Sequence, residues 1–134
     1  MPVITVSRYT REDLKDNPDA LFMFGDNMTR EGYGGQAAAA RDEPNAVGIP
    51  TLWAPGQPFS PGEWGMDEFD PVLDRITKAM LRLYDYAEAG KVVILPRDGV
   101  GTGIANLQEN CPELLKFIQA CINDIERVGG RHDA

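Results

Sequence analysis

The sequence holds one histidine and two cysteines. His132 stands in the C-terminal tail and Cys111 and Cys121 lie in one helical stretch, so neither a zinc spacing nor a Cys–His nucleophile pair can be assembled. A disulfide within a single helix is geometrically excluded at that separation, and the two thiols read as buried and structural. No metal site and no cofactor are expected. Long apolar runs are missing too; nothing approaches the roughly 20 residues of a membrane span. The start, Met1-Pro2-Val3-Ile4-Thr5-Val6, lacks a basic segment, an extended apolar stretch and a cleavage site, so a cytoplasmic location is expected. Positive charge is scarce: 13 Lys and Arg face 21 Asp and Glu, for a net charge of −8. Such a surface repels duplex nucleic acid at long range. The Gly-x-Gly-x-x-Gly fingerprint is absent after the first strands. A chain of 134 residues also leaves no room for a second substrate domain, which sets aside dehydrogenases and glycosyltransferases.

What is present is enough for a core: 43% of the residues are apolar. One domain is expected over residues 1–128, followed by a frayed, flexible tail over 129–134. Residues 3–7 alternate as a short strand. Thr10 is placed to cap a brief helix that Asn17-Pro18 ends. Buried strands are expected at Ala20–Phe24, Val47–Trp53 and Lys91–Leu95. Residues 35–42 are alanine-rich and helix-prone. Residues 54–65, with three prolines and three glycines among them, read as a long irregular loop. Asp67–Glu88 and Pro112–Val128 show helical spacing with one apolar face each. Strands alternating with helices imply an α/β protein, a three-layer α/β/α sandwich around a mixed, mostly parallel sheet.

Two glycine-rich turns follow apolar strands. One runs Phe24-Gly25-Asp26-Asn27 and then Gly32-Tyr33-Gly34-Gly35-Gln36-Ala37. The other runs Pro96-Arg97-Asp98-Gly99-Val100-Gly101-Thr102-Gly103-Ile104. Glycine lets a ligand approach the main chain closely, and clustered amide N–H groups can hold a phosphate without a lysine. In a parallel sheet, ligands bind beyond the carboxyl ends of the strands, where both turns fall.

These two turns together resemble the motifs of the macro domain, the ADP-ribose-binding module. Phe22 to Asn27 stands where that family has an apolar strand ending in Asn-Ala-Ala-Asn, and a glycine cluster beginning at Gly32 follows. Val93 to Pro96 followed by Gly101-Thr102-Gly103-Ile104 is similar to the second motif. Residues 96–107 look closest to the branch that removes ADP-ribose from acidic side chains or bases. The resemblance implies a macro-domain-like fold, an ADP-ribose-like nucleotide ligand and hydrolysis of an ADP-ribosyl bond. The chain departs from that branch where its catalytic aspartate would stand, at about Ala105. It also lacks the branch's lysine near the first glycine cluster.

The candidate catalytic residues are Asp26, Asn27 and Asp98. Asp26 reads equally as a general base or as a plain turn carboxylate. Asn27 reads as a ribose contact or as the side chain of an Asx turn. Asp98 is a ribose or water acceptor that Arg97 would pair. The candidate ligand-binding residues are Gly25, Gly32, Tyr33, Gly34, Gly35, Gln36, Gly99, Val100, Gly101, Thr102, Gly103 and Ile104. Tyr33 would stack on a base or sugar. Trp53, Phe59 and Trp64 fit core packing better than a pocket wall. The charges along residues 67–88 read as a solvated face. Besides a hydrolase, the same cleft would suit a non-catalytic nucleotide sensor, and the Pro/Gly/Trp loop would suit a protein-interaction module. The oligomeric state is not legible.

Overall fold

The computed structural model describes residues 3–97, 99–100 and 106–133. Among these residues the strands are β1 (Val3–Val6), β2 (Leu21–Asn27), β3 (Ala46–Ala54), β4 (Gln57–Pro58), β5 (Val93–Pro96) and β6 (Arg131–Asp133). They form one sheet in the order β4-β3-β2-β5-β1-β6. Every pairing is parallel except the short β3–β4 hairpin at the edge. The helices are α1 (Arg11–Asp16), α2 (Ala37–Ala40), α3 (Asp70–Glu88), α4 (Leu107–Asn110) and α5 (Pro112–Gly129).

Side chains on a strand point alternately to the two faces of the sheet, and β2 uses both. Leu21 and Met23 enter the larger core, which α3 and α5 cover with Ile76, Leu83, Leu114 and Ile118. Phe22 and Phe24 enter a smaller core with Tyr9, Leu14 and Ala37, covered by α1 and α2. Burial on both faces explains why β2 and β5 read as continuous apolar runs rather than alternating ones. The protein is therefore α/β, with a mostly parallel sheet between a thick helical layer and a thin one.

Local signals set most element ends. Thr10 Oγ1 accepts from Asp13 N at 3.2 Å while Asp13 accepts from Thr10 N at 2.8 Å, a reciprocal capping box. Gly90, at φ 78°, ends α3 and lets Lys91 N reach back to Tyr86 O at 2.9 Å.

Three expectations need correction. The strand expected to stop at Phe24 runs on through Asn27, because Gly25, Asp26 and Asn27 keep pairing with β3 across a register shift. The helix expected over 35–42 is one turn, Ala37–Ala40. Arg41 leaves the helical region at ψ 139° and Asp42 takes a positive φ of 75°, which helix propensity alone cannot resist. The segment expected to fray contains β6, which pairs in parallel with β1. Only a three-residue strand forms there, and it carries no apolar pattern to announce it.

Gly129 closes α5 against β1. A Cβ there would lie 2.4 Å from Val3 Cγ2 and 3.0 Å from Ala87 Cβ. Gly129→Ala is expected to destabilise the fold by about 1–3 kcal/mol through overpacking, despite alanine's better helix propensity. Urea denaturation checks this; an unchanged or raised midpoint would show that β1 and α3 yield freely.

Candidate functional site

The two glycine-rich turns emerge from neighbouring strands. β2 and β5 pair in parallel, with Leu21 opposite Val93 and Phe22 opposite Ile94, so both turns leave the same edge of the sheet. Gln36 ties them together. Its Oε1 accepts from Gly25 N at 2.7 Å and its Nε2 donates to Gly99 O at 3.2 Å. One amide side chain thus satisfies a backbone donor on the first turn and a backbone acceptor on the second. That explains why Gln36 is half-buried at the end of an otherwise exposed loop.

The backbone N–H groups from Gly32 to Gln36 donate to no acceptor among the described residues. The carbonyls of Gly34, Gly35 and Gln36, by contrast, are taken by Ala37, Ala38 and Ala39 at 3.2 Å each. Gly32 and Gly35 have φ of 89° and 58°, a left-handed geometry that favours glycine. The loop therefore presents a short run of N–H donors that meet no acceptor among the described residues. Gly25, in contrast, spends its N–H on Gln36 and has none to offer. Tyr33 stands outward from this loop, 58% exposed, and donates its hydroxyl to Asp42 at 2.5 Å. That hydrogen bond, with the nearby Asp42 charge, raises the Tyr33 pKa above its ordinary value.

Asp26 and Asn27 serve the loop's own shape. Asn27 is buried; its Nδ2 donates to Glu31 O at 2.8 Å, and its Oδ1 accepts from Thr29 Oγ1 at 2.7 Å and Glu31 N at 3.3 Å. This is the Asx-turn reading of the residue, with both the amide nitrogen and oxygen engaged locally. Asp26 Oδ1 accepts from Asn27 N at 2.8 Å and forms an ion pair with Arg41. Arg41 is the residue that sequence reasoning missed. It is 7% exposed, lies over the Phe24 ring at 5.8 Å, and donates to the Gly32 carbonyl at 2.5 Å and the Glu31 carbonyl at 3.2 Å. A lone arginine ending an alanine run carried no signal of this; its ion-pair partner lies 15 residues away.

On the second turn, Gly99 has a φ of 77° and bonds back to Pro96 O at 3.0 Å. Val100, expected to contact ligand, is 2% exposed and packs into the larger core, so its side chain anchors the loop instead. Asp98, Gly101, Thr102, Gly103 and Ile104 lie outside the described residues, as does Ala105.

Trp53, Phe59 and Phe69 pack edge to face at centroid distances of 5.0–6.0 Å, as core packing predicts. Trp53 Nε1 donates to Glu63 at 2.9 Å, pinning the Pro/Gly loop down on the core. Cys111 and Cys121 are free thiols, and burial raises the pKa of both. Among the described residues no cluster of His, Cys, Asp and Glu could hold a metal ion. Among the described residues no helix is long and apolar enough to cross a membrane.

A mostly parallel α/β sheet with two glycine-rich loops at its carboxyl edge is the class that the fold and site define. The chain belongs to DUF7831, a family of unknown function whose model matches residues 4–121. No curated protein and no solved structure matches it.

Proposed function

We propose that this protein is a macro-domain-like binder of ADP-ribose or a related nucleotide, acting in the cytoplasm on a small-molecule ligand held between the two glycine-rich loops. One observation carries the reading. The N–H groups of Gly32–Gln36, without an acceptor among the described residues, sit on a loop that Gln36 ties to the turn after the adjacent parallel strand. Oriented backbone donors bind a diphosphate locally, whatever the net charge of the chain. Tyr33, exposed beside them, is placed to cover a base or sugar. The commitments of Asp26 and Asn27 favour binding over hydrolysis of an ADP-ribosyl bond, since both side chains are engaged in holding the loop.

Thermal unfolding with ADP-ribose, and with AMP and NAD for comparison, tests this. Ligand at 100 times its dissociation constant is expected to add about 2.7 kcal/mol of stability. Gly34 is the informative position, because a Cβ there meets nothing within 4 Å and its φ is not left-handed. Gly34→Glu is therefore expected to fold normally and to lose the shift, by setting a carboxylate beside the anion site. No shift with any nucleotide would end the nucleotide reading and favour a protein-interaction module. Release of free ADP-ribose from a modified substrate would restore the hydrolase.

A further inference from the structure

A cavity of about 730 Å³ lies between α3 and the first half of β3, and it shares Phe24 and Asp26 with the base of the first glycine-rich turn. Five of the chain's 13 lysines and arginines line it, in a protein of net charge −8: Arg30, Arg41, Arg75, Lys78 and Arg82. Three of the four acids that line it are already paired with a cation, and Asp42 keeps its charge. Asp26 pairs with Arg41, Asp74 with Lys78 at 2.9 Å, and Glu43 with Arg11 at 2.8 Å, while Asp42 accepts from Tyr33. Among the described residues the remaining cations have no carboxylate partner. Arg75 is anchored by the Met28 carbonyl at 2.7 Å and Arg82 by the Pro44 carbonyl at 3.3 Å. The Arg30 side chain has no partner among the described residues. Carbonyl anchors fix a guanidinium in place without cancelling its charge, and each guanidinium retains further donors.

The backbone adds an independent observation. Arg30 and Asp42 have φ of 57° and 75°, and both line this cavity. An arginine in the left-handed region carries strain that glycine would not, and such strain gathers where a side chain is needed. The occupant is narrowed by the strand edge at the cavity wall. β4 pairs with β3 only at Leu52 and Ala54, which leaves Ala46–Pro50 as an open edge. Ala46 N is bonded to Glu43 O at 3.2 Å and Pro50 has no N–H, so an added peptide strand would find few donors.

We infer that this cavity is a binding site for a small soluble polyanion carrying two or more phosphate groups, held by Arg30, Arg75 and Arg82. The volume lies within the range of ordinary small-molecule sites.

Titration calorimetry with inorganic tripolyphosphate tests the inference, with sulfate at matched ionic strength as the control for general anion attraction. The expected result is saturable binding that falls at least tenfold in Arg30→Gly and in Arg75→Gln, and weakens as salt rises. Arg30→Gly also relieves the left-handed strain, so its thermal stability should hold or rise, which separates lost binding from lost fold. Gly34→Glu is expected to remove only tripolyphosphate held at the glycine loop and to keep the binding component that Arg30→Gly and Arg75→Gln lose. Absence of saturable binding, equal binding of sulfate, or unchanged affinity in Arg30→Gly would overturn the site. Binding lost only in Gly34→Glu would place the anion in the glycine cleft and also overturn it. Failure of ADP-ribose binding leaves this test intact, since the two sites share none of the residues substituted.

Discussion

Replacing Arg41 by alanine is expected to cost about 3–5 kcal/mol of folding stability, the usual result of leaving a buried carboxylate without its partner. The side chains of Arg41 and Asp26 are 8% and 9% exposed, so water replaces the guanidinium poorly. After the substitution Asp26 keeps one donor on Oδ1, the N–H of Asn27. The carbonyls of Glu31 and Gly32 also lose their tether, so the loop that carries the free amides should loosen. Measured against a typical 5–15 kcal/mol for a domain, this is a large fraction of the total. A second variant separates pair from fold. In Asp26→Leu/Arg41→Met both charges leave together, and a buried ion pair replaced by apolar groups of similar size is often close to neutral. The double variant should therefore be more stable than Arg41→Ala. Guanidinium denaturation of the three proteins decides it, and a loss below 1 kcal/mol in Arg41→Ala would show that the pair is wet and expendable.

Phe69→Ala is the other large effect, expected at about 3–5 kcal/mol. Phe69 is fully buried at the entry to α3, where its ring meets Trp53, Phe59 and Trp64 at centroid distances of 6.0, 5.1 and 6.0 Å. Truncation opens a cavity among rigid rings that cannot collapse into it, and removes edge-to-face contacts worth about 0.5–1.5 kcal/mol per pair. Phe69→Leu should cost clearly less. The same cluster fixes the Pro/Gly loop, so tryptophan fluorescence should report its loosening together with the stability loss. A Phe69→Ala protein with parental stability and emission would mean that the cluster covers the core without supporting it.

Sequence reading was strongest where a signal repeats. The apolar spacing of α3 and α5 runs over four or more turns, and the observed helices, Asp70–Glu88 and Pro112–Gly129, fall within three residues of the expected ends. The runs of β2 and β5 were visible because burial on both faces leaves no polar interruption. β6 was invisible because Arg131, His132 and Asp133 form a strand only by pairing with β1. The short α2 was overestimated because alanine propensity says nothing of the turn at Arg41 and Asp42. In the site, the placement of both glycine turns at one sheet edge was legible because each follows an apolar strand in an alternating α/β chain. The roles of Gln36 and Arg41 were not, because each depends on partners brought near by the sheet; Gln36 meets Gly99 across 63 residues. The basic cavity was hidden for a related reason. Arg75, Lys78 and Arg82 on α3 read as an ordinary solvated face until Arg30 and Arg41 are brought opposite them.

The strand order also sets a schedule. β1 is made first, yet its only neighbours among the described residues are β5 and β6, which begin at Val93 and Arg131. β2 and β3 can meet early, being close in sequence, but β1 has no sheet to join until β5 arrives to lie between it and β2. For a chain emerging from a ribosome, all the residues between β1 and β5 are synthesised while β1 waits unpaired. Arrival of β5 is then the event that joins the two halves of the sheet, and that long-range closure should govern the folding rate.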